Sequence, residues 1–319
     1  MNKKPLNEYL IEELKYKIPN NTTLVNALND LLPIGKEAIY RRLRGDVSFT
    51  LEEASILSYH LGLSLDILKE ISPLKRPFVF KMANFADPKE IDYKLISEYV
   101  NFLDYIKDSP NTEVGTAAKL IPDALHINYQ HIARFYLFKW IYQYDNQCDV
   151  RKFEQVKGHD RLLDILTNMV DLLHQVKSSY YIFDKNIFQN FVDDVKYFNT
   201  IGLINQNDIR LLKEDLYMCL ENINMLASKG INQYGHKTEI YLSNINFEAG
   251  FSYIRSDYYK LTAIRAFTMY DISSSDVPTY ENALKWMQSL KRASSLISES
   301  GEIERLNFFQ KQYEIVNSL

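Results

Sequence analysis

Lys36, Arg41, Arg42 and Arg44 stand within nine residues, with Glu37 and Tyr40 between them. Four cations against one carboxylate give +3 in a chain whose net charge is −4. Guanidinium and ammonium groups at this density attract anions, and arginine can fork onto guanine O6 and N7 or grip a phosphate. Tyr40 can contact either. On a helix with Ile39 set inward and 100° per residue, Leu43 falls on the same side, while Glu37, Arg41 and Arg44 point away. Tyr40 and Ala38 lie at the edges of that face, and Lys36 and Arg42 flank the apolar stripe. The spacing predicts a short amphipathic helix that displays its charge outward. Two bland roles stay open here: Arg42 or Arg44 could pair with Glu52 or Glu53, and Glu37 could serve the helix dipole.

Such a helix needs neighbours to hold it, and the first 71 residues supply short helical units. Leu6, Leu10, Leu14 and Ile18 recur at spacing four and predict one helix, stopped by Pro19-Asn20-Asn21. Thr22 or Thr23 is placed to cap a second, which buries Leu24, Ala27, Leu28 and Leu31. Leu32-Pro33-Ile34-Gly35 breaks it, and the charged helix runs from Lys36 to about Arg44, with Gly45 just past its end. Thr50 and Glu53 have capping-box spacing for a fourth helix carrying Leu51, Ala54, Leu57 and Leu61. Ser64 is placed to cap a fifth, Leu65 to Lys69. Short helix, four-residue turn and charged short helix is a helix-turn-helix order, in which the second helix enters a DNA major groove.

Residues 22–68 resemble the lambda-repressor-like, XRE-type helix-turn-helix domain. The likeness is carried by IGKEAIYRRLRGDVSF at 34–49, by Thr50-Leu51-Glu52-Glu53-Ala54, and by His60-Leu61-Gly62-Leu63-Ser64-Leu65-Asp66-Ile67-Leu68. It implies a compact five-helix head in which Lys36, Glu37, Tyr40 and Arg41 contact bases and Thr23 contacts phosphate. The sequence departs from the family pattern where Leu24 or Val25 replaces a polar residue and where Pro33 stands at a position often held by glycine. The resemblance further implies the architecture of bacterial transcription regulators, with a long helical regulatory half behind the head.

Pro73, Pro77 and Pro88 mark residues 72–88 as a linker, and residues 89–319 read as a second domain. Gly and Pro number 10 and 9 in 319 residues, below the usual share of about 7% and 5%, which favours helices over a many-stranded barrel. Helical periods appear near 91–106, 126–144, 159–177, 186–199, 207–228, 279–291 and 302–317. Between 238 and 272 the period changes, and a small antiparallel β-meander of two or three strands is predicted. The predicted class is therefore mainly α: a five-helix head plus a large helical C-terminal domain. The aromatic run Phe135 to Tyr142 predicts a helix buried all round, or one that lines a ligand pocket. Arg305, Phe308 and Phe309 near the end could dock on the meander or on a second subunit.

Chemistry-bearing motifs are missing beyond the head. Cys148 and Cys219 have no paired spacing, and the histidines at 60, 126, 131, 159, 174 and 236 have no metal spacing. There is no P-loop, nucleophile elbow or dinucleotide fingerprint. Catalytic, cofactor-binding and metal sites are thus not expected. Glu8, Glu12, Glu13 and Lys15 break up any apolar leader core, and no stretch of about 18 residues lacks charge, so a cytoplasmic protein without a membrane span is expected. Residues 1–75 carry ten basic and ten acidic side chains, and the remaining 27 against 31 hold the whole deficit. The head is neutral but polarised, and an acidic body would turn it toward phosphate. These readings predict a dimeric regulator of double-stranded DNA, with dimerisation, a small-molecule or peptide effector, or both assigned to the C-terminal domain. A protein-interaction scaffold of the same fold is the alternative.

Overall fold

The computed structural model describes residues 5–61, 63, 83–85, 87–144, 152–156, 160–257 and 259–319. Two compact units divide the chain: Met1–Phe80 with Tyr258–Leu261 and Ser274–Glu281, and Lys81–Asp257 with Thr262–Ser273 and Asn282–Leu319. They are called the head and the body below.

Four helices of the head are described: α1 (Leu6–Lys17), α2 (Asn21–Leu31), α3 (Lys36–Leu43) and α4 (Leu51–Leu61). The predicted fifth helix at 65–69 and most of the predicted linker lie outside the described residues. Spacing by three and four brings Leu10, Leu14, Leu24, Leu28, Ile39, Leu43, Leu57 and Leu61 into one buried cluster. The start of α2 is capped by Asn20, whose side chain accepts from the Thr23 N–H at 3.0 Å; the threonines predicted for that role sit inside the first turn. At α4 the reciprocal box forms as the sequence predicts, with Glu53 N–H on Thr50 Oγ1 at 3.1 Å and Thr50 N–H on Glu53 Oε2 at 2.9 Å.

The body overturns the mainly α expectation. Helix accounts for 58% and strand for 13% of the residues, but the strands form one seven-stranded sheet, and the class is α/β. The chain runs α5 (Glu90–Ile106), β1 (Glu113–Ala118), α6 (Asp123–His126), α7 (Gln130–Tyr144), a 3-10 turn (Phe153–Gln155), α8 (Asp160–Gln175), β2 (Ser178–Phe183), α9 (Gln189–Thr200), α10 (Gln206–Lys229) and β3 (Lys237–Ser243). It continues through β4 (Phe251–Arg255), β5 (Lys260–Arg265), β6 (Asp271–Ser274), α11 (Val277–Arg292), β7 (Ser294–Leu296) and α12 (Glu302–Asn317). The seven strands lie in the order β6-β5-β4-β1-β2-β3-β7. β1, β2 and β3 pair in parallel, with β4 antiparallel to β1 and β7 antiparallel to β3.

Two errors in the sequence reading have physical causes. β1 and β2 were missed because parallel strands between helices are buried on both faces and lose the polar alternation that reveals a surface strand. β2 reads SSYYIF, with every residue after the first buried. The segment 238–272 is not a separate small meander: β4, β5 and β6 are successive neighbours but form one edge of the seven-stranded sheet, and β3 lies apart from them beyond β1 and β2. Helical periodicity, by contrast, located α7. Its Phe135, Tyr136, Phe138 and Trp140 are buried, and Phe135 packs on Phe191 of α9 with centroids 4.7 Å apart. The aromatic run is core. α12 docks Phe308 on Phe183 of β2 and packs along α9 and α10.

Candidate nucleic-acid interface

α3 buries Ile39 and Leu43, which leaves the rest of a helix of eight residues facing outward or sideways. Its position is fixed from both ends. Leu32 N–H still bonds Leu28 O, and Gly35, extended at φ −73° and ψ 160°, leads into the first turn. At the other end Arg44 is the C-cap and Gly45 takes φ +85°. Gly45 N–H bonds Arg42 O at 2.9 Å and Asp46 N–H bonds Arg41 O at 3.0 Å, the paired bonds of a Schellman stop. Lys15 of α1 donates to Leu43 O at 3.2 Å, and Asn7 accepts from the Phe49 N–H at 2.9 Å. The loop after α3 is thereby tied to α1.

The predicted site residues separate into groups. Glu37, Tyr40 and Arg41 are exposed on one side of α3, and their side chains have no hydrogen-bond or ion-pair partner among the described residues. Lys36 is exposed as well, but its ammonium donates to Asn26 Oδ1 of α2 at 2.8 Å. Asn26 was not singled out from the sequence; its polarity between Val25 and Ala27 on α2 is the signal that marked it. Arg44 pairs with Asp46 at 2.9 Å, both about half exposed, which is a surface contact that a phosphate can displace. Thr23 is half-buried in the first turn of α2, with its N–H committed to Asn20.

Arg42 belongs elsewhere. Its Nε reaches Glu53 Oε2 at 2.9 Å and its Nη2 reaches Glu53 Oε1 at 2.8 Å, a two-pronged pair with both side chains largely buried. Burial by itself would raise the Glu53 carboxyl. The Arg42 hydrogen bond, the Thr50 N–H and the Arg42 charge outweigh it and hold the group below its ordinary value. Arg42 therefore leaves the predicted DNA-binding set and joins α3 to α4. Counting Asp46 and Glu53 with residues 36–44 reduces the local net charge from +3 to +1. What remains outward is a mixed polar face centred on Arg41, shaped for directional hydrogen bonds more than for bulk attraction.

No family model, curated protein or solved structure matches this chain. Among the described residues, no helix is long and apolar enough to cross a membrane.

Proposed function

We propose that this chain is a sequence-specific DNA-binding transcription regulator acting in the cytoplasm without catalysis of its own. The observation that carries it is the outer face of α3, where Lys36, Glu37, Tyr40, Arg41 and Arg44 are exposed behind a helix-turn-helix order. Arg41, without a partner among the described residues, reads guanine or grips phosphate. Glu37 accepts from a cytosine amino group, Tyr40 and Lys36 contact base edges or backbone, and Thr23 meets a phosphate. A single head spans few base pairs, so useful affinity needs two heads on half-sites about 34 Å apart. The body serves for dimerisation, signal sensing, or both.

Selection of bound duplexes from a random pool tests this reading, followed by mobility shifts of wild type and the Arg41→Ala/Arg44→Ala variant. A palindrome bound by wild type and lost in the variant supports it. Equal shifts at low salt sink it. One observation favours a second reading, a protein-interaction module on the same fold: the local charge is only +1. Partners that survive nuclease treatment in a pull-down, together with an empty selection, are the outcome of that alternative.

A further inference from the structure

The body contains a cavity of about 380 Å³ that DNA binding leaves without a role. The sheet forms its floor. Ser179 of β2 pairs with Thr238 of β3, and the two-residue period puts Tyr181 on the same face. Leu226 of α10 and Leu125 of α6 close the apolar walls, while Met225, Lys229 and Ile231 are exposed and form the rim. Tyr181 is only 4% exposed and Met225 is 48% exposed, which sets the direction from depth to mouth.

Most polar groups on the wall are occupied. Thr238 Oγ1 lies 3.1 Å from Ser179 Oγ, and the Asn232 amide donates to His174 O at 2.7 Å. His174 bonds the Ala124 backbone, and Asn222 meets the Tyr129 hydroxyl. Three groups are left over, the Gln233 amide on the exposed rim and two that differ in depth. Tyr181 has no hydrogen-bond partner among the described residues, and its hydroxyl is pushed up by burial alone, with no neighbouring charge or hydrogen bond contributing. Lys229 at the rim has no ion-pair partner among the described residues. Tyr181 lines the cavity, so its hydroxyl is open to water or to a ligand there.

We infer that this cavity binds a small monoanion of about a dozen heavy atoms, with its carboxylate at Lys229 and a hydrogen-bonding group at Tyr181. The size follows from the volume, since one water occupies about 30 Å³ of liquid. Leu125, Leu226, Met225 and Ile231 hold the apolar or aromatic middle of the molecule. Pockets of this size with an apolar lining and a few directed polar groups are the usual form of a small-ligand site. The inference stands on the body alone and does not depend on DNA binding.

Calorimetric titration of the full chain with three probes tests it: 3-(4-hydroxyphenyl)propionate, 3-phenylpropionate and 3-(4-hydroxyphenyl)propanamide. The first should bind about tenfold tighter than either of the others, the worth of one buried hydrogen bond or one charge contact. Tyr181→Phe should erase the preference for the hydroxyl, and Lys229→Met the preference for the acid over the amide. Met225→Trp, on a half-exposed rim position, should weaken all three by narrowing the mouth. If Tyr181→Phe fails to fold, the probe series on wild type and Met225→Trp still decides. No saturable heat at millimolar probe, or preferences that persist in the folded variants, overturns the inference.

Discussion

Arg41 and Arg42 are neighbours in sequence and differ in everything their surroundings give them. Arg42 spends its guanidinium on Glu53, whereas Arg41 keeps its donors for whatever approaches α3. Arg41→Ala should therefore cost about 1–3 kcal/mol at a selected DNA site and flatten the preference at one base position, read by anisotropy titrations on site variants. Removal of the Glu53 charge should act on folding instead. The folded pKa of Glu53 lies below its ordinary value of 4.5, so its contribution is complete above about pH 4.5 and is lost as pH falls through the folded value. Glu53→Gln should destabilise the head by about 2 kcal/mol at neutral pH, and the gap to wild type should shrink in urea unfolding at pH 3. A gap that does not change with pH would remove the ion pair from the account.

At the scale of elements, each helix of the head carries its own stop or start. Asn20 caps α2, so Asn20→Ala should cost about 1 kcal/mol in thermal unfolding while leaving the outer face of α3 intact. In the body the informative position is Gly115 on β1, opposite Tyr180 of β2 and Tyr253 of β4. A Cβ there would lie 2.5 Å from Tyr253 Cε1 and 2.6 Å from Tyr180 Cζ. The two rings pack over the space a side chain would fill. Gly115→Ala should destabilise the body by about 1–3 kcal/mol through overpacking, measured by denaturant unfolding of the full chain. A neutral result would mean that the rings yield freely.

For the whole molecule, the balance of charge would set how the proposed DNA binding depends on salt. With Asp46 and Glu53 answering two of the arginines, few cations are left to release counterions. The slope of log affinity against log salt should accordingly be shallow, about −0.9 for each phosphate contact. Arg44→Ala should lower its magnitude by about one if Arg44 leaves Asp46 for a phosphate, whereas Arg41→Ala should change affinity more than slope if it reads a base. Titrations from 50 to 300 mM salt distinguish the two.

Much of the described head was legible from local signals. Four-residue spacing, the Thr50–Glu53 box and Gly45 are local signals, and local signals depend on nearby atoms that the sequence itself lists. The outward direction of Arg41 followed from periodicity alone. Whether Arg42 faced DNA or Glu53 did not, because the two residues meet only after α3 and α4 pack, eleven positions apart. The body was legible only in its helices. β1 and β2 owe their existence to partners far along the chain, and being covered on both faces removes the alternation that marks a strand. The cavity over Tyr181 is further still from the sequence: β2, β3, α6 and α10 must assemble before any residue can be said to line it. The sequence by itself determined which of the described segments of the head are helices and which charges they display. The tertiary structure decided which charges pair, that a sheet runs through the body, and which side chains line the cavity over Tyr181, since all three depend on contacts between distant segments.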